Sequence, residues 1–169
     1  MKNLKLILSV LLIVLTSCGY HFEGGGYLHS EVTRVAMGTM DNKSSETGAG
    51  VIFTNALAKE ILEKTDTKLV DDTTKAVAVL KGRINSITFA TLSRSTTEAV
   101  VERRVSASVD MQLLNKDEEI IWSVKNFTSS EEYKVSEDKI TDESNKRTAL
   151  DKIALRIAEK LINRMTSNF

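Results

Sequence analysis

Between Val101 and Leu113 the chain alternates residue by residue. Val101, Val105, Ala107, Val109, Met111 and Leu113 take one parity, while Glu102, Arg104, Ser106, Ser108, Asp110 and Gln112 take the other. Successive side chains of a strand point to opposite faces, so this pattern makes a sheet with one dry face and one wet face. Sheets of that kind are antiparallel and need a covering layer on one side only. The flanking segments agree. From Ala76 to Phe89, the residues Ala78, Leu80, Gly82 and Ile84 share a face, and the apolar phase then moves to Ile87 and Phe89. A phase shift of odd number predicts a bulge near Asn85-Ser86. Thr91 to Thr97 is a polar turn containing Arg94, and Asn115 to Glu119 is a charged one. Ile120 to Tyr133 then returns as the partner strand, with Ile120, Trp122 and Val124 on one side.

Two segments can supply the cover. Val51 to Lys64 carries Phe53, Leu57 and Ile61 at helical spacing, flanked by Ala58 and Leu62, with Lys59, Glu60, Glu63 and Lys64 on the other side. Its polar face is not basic, so the stripe packs on a core rather than on a membrane surface. At the end of the chain, Leu150, Ile153, Ala154, Ile157, Ala158, Leu161, Ile162 and Met165 form one continuous stripe, and Arg164 in the last turn suits the helix dipole. Val32 to Met40 reads as a short first strand, and Lys68 to Asp72 as a short extra strand or an extended approach. Asp41 to Gly50 and Lys134 to Glu143 are polar and read as loops. The order is β-α-β-β-β-α, with a right-handed crossover at its start. Two helices with one stripe each must share one face of the sheet, which predicts an α+β two-layer sandwich of about four strands. A domain of ~150 residues buries roughly two-thirds of its unfolded surface, enough for a core without disulfides or metal.

The N-terminus is of another kind. Lys2 and Lys5 precede the apolar stretch Leu6 to Leu15, which is interrupted only by Ser9. About ten apolar residues span roughly 15 Å as a helix, half of a ~30 Å hydrocarbon core, which fits an export signal better than a transmembrane helix. Leu15-Thr16-Ser17-Cys18 resembles a lipobox, the recognition site of the bacterial lipoprotein signal peptidase. Small residues fit the protease cleft, and the Cys18 thiol is the nucleophile that takes the diacylglycerol. The expected organisation is a signal peptide at 1–17, a lipidated linker at 18–30 that includes Gly24-Gly25-Gly26, and one α/β sandwich domain at 31–169. Cleavage removes two of the 23 basic side chains and none of the 23 acidic ones, leaving a net charge of −2. Two or three acyl chains at ~0.8 kcal/mol per buried CH₂ anchor such a domain stably. Gly19, rather than Asp, follows the cysteine, which in lipoproteins resembling those of enteric bacteria implies delivery to the outer membrane.

Catalytic chemistry is thinly represented. Lipidation consumes the one cysteine, and His21 and His29 both lie in the glycine-rich N-terminal stretch. No Gly-x-Ser-x-Gly elbow is present, and the adjacent pairs Asp71-Asp72 and Glu131-Glu132 would point to opposite faces of a strand. The chain reads as a non-enzyme without cofactor or metal, and without the polybasic run that nucleic acid requires. One charge feature stands out. From Lys81 to Arg104 the basic residues are Lys81, Arg83, Arg94, Arg103 and Arg104, against Glu98 and Glu102. Arg103 also shares the parity of Val101 and Val105. It is either available to a phosphate or carboxylate or paired to a nearby glutamate at a solvated strand end.

The chain resembles the lipopolysaccharide-assembly lipoprotein (LptE) family. The resemblance begins at Cys18-Gly19-Tyr20-His21-Phe22 and continues through the helix at Asn55-Ala56-Leu57 and the strand entry Lys75-Ala76-Val77-Ala78-Val79-Leu80-Lys81-Gly82-Arg83-Ile84. The Arg-containing third strand, Ile121-Trp122, Glu131-Glu132-Tyr133 and the Ala-rich terminal helix complete it. It implies an outer-membrane lipoprotein, held by lipid at Cys18, that sits beside or inside a large LptD-like β-barrel as plug and lipopolysaccharide-binding chaperone. Phosphorylated lipid A would then seek Arg83, Arg94, Arg103 and Arg104. The competing expectation for an outer-membrane lipoprotein of this size is an activator of a peptidoglycan synthase.

Overall fold

A computed structural model describes residues 25–30, 32–94 and 100–167, with the side chains of Arg94 and Val100 outside that description. The leader, Cys18 and His21 also fall outside it. Six strands and two helices follow in the order β1 (Arg34–Met37), β2 (Asp41–Asn42), α1 (Ala49–Lys64), β3 (Lys68–Val70), β4 (Ala78–Arg94), β5 (Val100–Leu114), β6 (Ile120–Lys134) and α2 (Lys139–Thr166). The sheet order is β3-β1-β4-β5-β6, with β2 pairing β4 beyond the end of β1. β1 runs parallel to both β3 and β4, whereas β4, β5 and β6 form an antiparallel meander. The α+β architecture with two helices is as expected. The strand count is not: the sheet is mixed and has six strands, because β2 and β3, of two and three residues, join it.

The dry face is the expected one except at Ile120, which a register shift pairs with Leu114 instead of placing it beside Trp122, and which is exposed. Leu80, Leu113 and Trp122 share a row, followed by Gly82, Met111 and Val124, and then by Ile84, Val109 and Phe127. Every member of the terminal stripe from Leu150 to Met165 is buried against it, as are Phe53, Leu57 and Ile61 of α1. Leu62 turns outward and is 63% exposed. α2 begins eleven positions before Leu150, because Asp138 caps it by accepting from the Thr141 backbone N–H (2.9 Å) and hydroxyl (2.6 Å). That first part is polar and has no stripe. It is tied down instead by Lys146, whose Nζ lies 2.8 Å from Glu46 Oε2 and 5.2 Å from the centre of the Phe89 ring.

Two bulges face each other across β5. The register of β4 on β5 shifts between Ile84 and Ser86, as the phase change predicted. That of β6 shifts opposite Asp110, where Asn126 takes a left-handed φ of 51°. Asp110 joins the two, its Oδ1 accepting from the Asn126 backbone N–H and from Asn85 Nδ2, both at 2.7 Å. α2 also guards the outer edge of β6. Val135 N–H donates to Val101 O, which places the carbonyls of Ser130 and Lys134 on the side away from β5. Arg156 Nη1 donates to Ser130 O at 2.6 Å, and Asn145 Nδ2 to Lys134 O at 3.0 Å. An edge that would otherwise be a row of open hydrogen-bonding groups is thus partly filled.

Met40 wedges between the sheet and α1. Its backbone N–H donates to Thr54 Oγ1 at 2.9 Å, and a Cβ on Gly50 would come within 2.7 Å of its carbonyl oxygen. Gly50→Ala is therefore expected to destabilise the protein by about 1 kcal/mol net. Helix propensity favours alanine by ~1 kcal/mol, but a clash with backbone costs ~1–3 kcal/mol and outweighs it. Urea denaturation of the variant checks the sign.

Candidate functional site

The wet face of the sheet is open, and its rows divide by charge. The middle rows are Ser86, Ser108 and Thr128, then Thr88, Ser106 and Ser130, all of them hydroxyls. Charge gathers at the two ends. At the β4–β5 hairpin end the next row is Ala90, Arg104 and Glu132, and Arg104 Nη2 lies 2.7 Å from Glu132 Oε1. Arg103 occupies the helix-covered side in a row with Thr91 and buried Tyr133, as its parity predicted, and it makes no ion pair among the described residues. Arg94 pairs through its backbone with Val100 at the same end.

Arg83 stands apart. It opposes Asp110 at the other end of the face, where its Nε lies 3.2 Å from Asp41 Oδ2. Positions 83 and 90 of β4 mark the two ends, and about 20 Å of strand separates them. The four arginines singled out by sequence therefore do not form one cluster: the backbone of Arg94, Arg103 and Arg104 lies at the hairpin end, with Arg103 and Arg104 on opposite faces of the sheet, and Arg83 belongs to a different group. That group is Lys81 and Arg83 from β4, Lys125 from β6, and the carboxylates Asp41 and Asp110, around a hollow of about 660 Å³. Lys125 was not anticipated, since nothing but the β5–β6 register relates it to Arg83. The Asn126 backbone N–H holds the Asp110 carboxyl below its ordinary value against its partial loss of water, with Asn85 and the charges of Arg83 and Lys125 adding to the effect.

On the helix side, Glu131 is held low chiefly by Arg156, whose Nη2 lies 2.7 Å away, with Lys152 at 3.2 Å. Burial pushes Glu60 up, and its Oε2 has no partner among the described residues. Among those residues no group of three or more His, Cys, Asp or Glu could hold a metal ion, and no helix is long and apolar enough to cross a membrane.

Two helices over one face of a mixed sheet, with the other face bare and hydroxyl-lined, define a class of two-layer α+β domain that recurs among bacterial lipoproteins. Uncharacterized lipoprotein B from Nitrosomonas europaea superposes with a TM-score of 0.58 at 16% identity, over 88% of this chain and 91% of that one. A putative lipoprotein from Caulobacter crescentus gives 0.55 at 12% identity, over 76% and 88%. The rare lipoprotein B from Shewanella oneidensis gives 0.53 at 15%, over 79% and 94%. At these identities the likeness is one of fold. No curated protein matches the chain in sequence. The family model for lipopolysaccharide assembly matches residues 32–165, and the chain belongs to that family, LptE.

Proposed function

We propose that the protein is an outer-membrane lipoprotein, anchored by acyl chains on Cys18, that partners an LptD-like β-barrel in placing lipopolysaccharide at the cell surface. In this reading residues 18–30 are the linker, its last part docked on the domain by fully buried Leu28, and the sandwich domain is both plug and lipopolysaccharide-binding chaperone. The observation that carries it is the bare sheet face. Five consecutive rows, from Lys81-Gln112-Ser123 to Ala90-Arg104-Glu132, present one apolar side chain, Ala90, and otherwise hydroxyls, amides and charges. A surface of that composition suits the polar interior of a barrel and gives lipid no foothold. At the hairpin end Arg103 and Arg104 supply guanidinium groups for lipid A phosphates, with Arg94 a further candidate by its backbone position, each charge-assisted hydrogen bond contributing about 1.5–3 kcal/mol.

Charge reversal of Arg94, Arg103 and Arg104 to Glu is expected to weaken lipopolysaccharide binding by about tenfold or more at low ionic strength, since exposed contacts are screened by salt. Co-purification of the acylated protein from detergent-solubilised envelopes should yield the barrel. Unchanged binding in the triple variant would remove the arginine contacts from the proposal. Recovery of an inner-membrane glycosyltransferase in place of the barrel would overturn the assembly role.

A further inference from the structure

The cleft between β6 and the C-terminal half of α2 goes beyond the assembly reading and does not depend on it. It opens where the edge of β6 is no longer tied to the helix. The outward carbonyls of Ser130 and Lys134 are taken by Arg156 and Asn145. The same alternation turns the N–H and C=O of Thr128 away from β5, and neither has a partner among the described residues. Two places further back, the left-handed Asn126 and its bulge end the straight run. The open edge is therefore short, and one residue offers both a donor and an acceptor.

The helix does not close over this stretch. Val124 and Phe127 belong to the covered face, yet both are only half-buried. With Thr128, Lys160 and Arg164 they border an open cleft of about 690 Å³. Lys125, at the bulge, borders it as well as the hollow on the open face. The Arg164 guanidinium lies 4.8 Å from the centre of the Phe127 ring, a cation over an aromatic face at the floor of the cleft. Lys125, Lys160 and Arg164 are exposed and make no ion pair among the described residues, and no carboxylate is among the described residues that border the cleft.

Three exposed cations call for an anionic partner, and the rest of the cleft selects its kind. An inorganic anion would leave the Thr128 carbonyl and the apolar floor unmet. A second copy of this chain would bring the same three cations to the seam, and like charges oppose that pairing. An extended peptide meets every feature. In an antiparallel pair, one facing residue exchanges both main-chain bonds with Thr128. The side chains on either side of that residue turn to the helix side of the sheet. There a carboxylate reaches Lys160 or Arg164, and an apolar residue rests on Val124 and Phe127.

We propose that this cleft docks a short acidic peptide segment of another protein, added antiparallel to β6 as an extra strand, with Thr128 as its main-chain partner and Lys160 and Arg164 as its cationic contacts.

The test is a titration of the full chain in detergent, at low ionic strength, with the peptide acetyl-Val-Thr-Glu-Thr-Val-Thr-Glu-amide, followed by amide ¹H–¹⁵N shifts. As a strand this peptide puts valine and glutamate on one face and threonine on the other. Saturable shifts are expected at Phe127, Thr128, Lys160 and Arg164 and not at the hairpin end. Methylating the threonine nitrogens removes the main-chain donors that face β6 and should weaken binding at least about tenfold. The double variant Lys160→Glu, Arg164→Glu should also bind at least about tenfold more weakly, while its remaining spectrum reports an intact fold. That variant should in turn accept the peptide in which lysine replaces glutamate, which the wild type refuses. Absence of saturable shifts in the wild type, or equal binding of the methylated peptide, would overturn the proposal. So would saturation of the same amides by inorganic phosphate at lower concentration, or shifts there that grow with protein concentration alone, the mark of a second copy. Because the hairpin arginines are untouched, failure here leaves the assembly role standing, and failure there leaves this site standing.

Discussion

Phe53→Ala is expected to lower the unfolding free energy by about 3–5 kcal/mol, the range for removing a buried aromatic ring. The ring is 1% exposed and is among the largest fully buried side chains of the molecule. It comes from the second turn of α1, the shorter of the two covering helices, which packs on β2, β3 and β4 and on α2. Neither Ile61 nor Leu57 can swing into the space, because both are themselves buried on the same stripe. Against a typical total of ~5–15 kcal/mol the loss is large. At ~2–4 °C per kcal/mol it corresponds to a melting-temperature drop of about 10 °C. The urea midpoint should fall with the slope unchanged. A loss below about 1 kcal/mol would mean that the α1 layer closes over the gap, and that the two-layer packing is looser than described.

Asp110→Ala should cost about 1–3 kcal/mol at neutral pH, because it takes the acceptor from two donors at once. Asn126 N–H and Asn85 Nδ2 meet at one oxygen of Asp110, and each belongs to a bulge on a different neighbouring strand. The pH dependence separates this from a generic packing loss. The folded carboxyl sits below its ordinary value, so its contribution is fully present above the unfolded pKa near 4 and is lost as pH falls through the lower folded value. The gap between wild type and Asp110→Ala should therefore be widest near pH 7 and narrow in acid. Asp110→Asn keeps an acceptor without the charge and should fall between the two. A gap that is constant from pH 7 to pH 3 would sink the account.

What the sequence disclosed follows from periodicity. Strands β4, β5 and β6, and the stripe of α2, repeat long enough to show a period, and even the β4 bulge was legible as a phase shift between Ile84 and Ile87. β2 and β3 are too short to carry one. The first turns of α2 carry Ile140 as their one aliphatic side chain larger than alanine before Leu150, and it is 82% exposed. A pattern of burial cannot reveal a helical segment that buries so little, and Thr141 is not the Glu or Gln that would complete a capping box with Asp138. The grouping of basic residues failed for a different reason. Counting charge between positions 81 and 104 treats the hairpin as a point, but strands this long carry Arg83 and Arg104 to opposite ends. The residue that does join Arg83, Lys125, lies on another strand, and only register brings it near.

The side chains of Arg156 and Asn145 on the rim of β6 bear on how the chain survives before it reaches its destination. A newly made copy offers its siblings a seam already half stitched by its own helix, and the unstitched stretch is kinked at Asn126. Fibrillar templating wants a long, straight, vacant border. Among the described residues copies crowded together in transit would find none, since β6 is partly filled and the opposite edge, β3, is three residues long, so losses on the way should come from unfolding of α2 rather than from zippering of intact molecules.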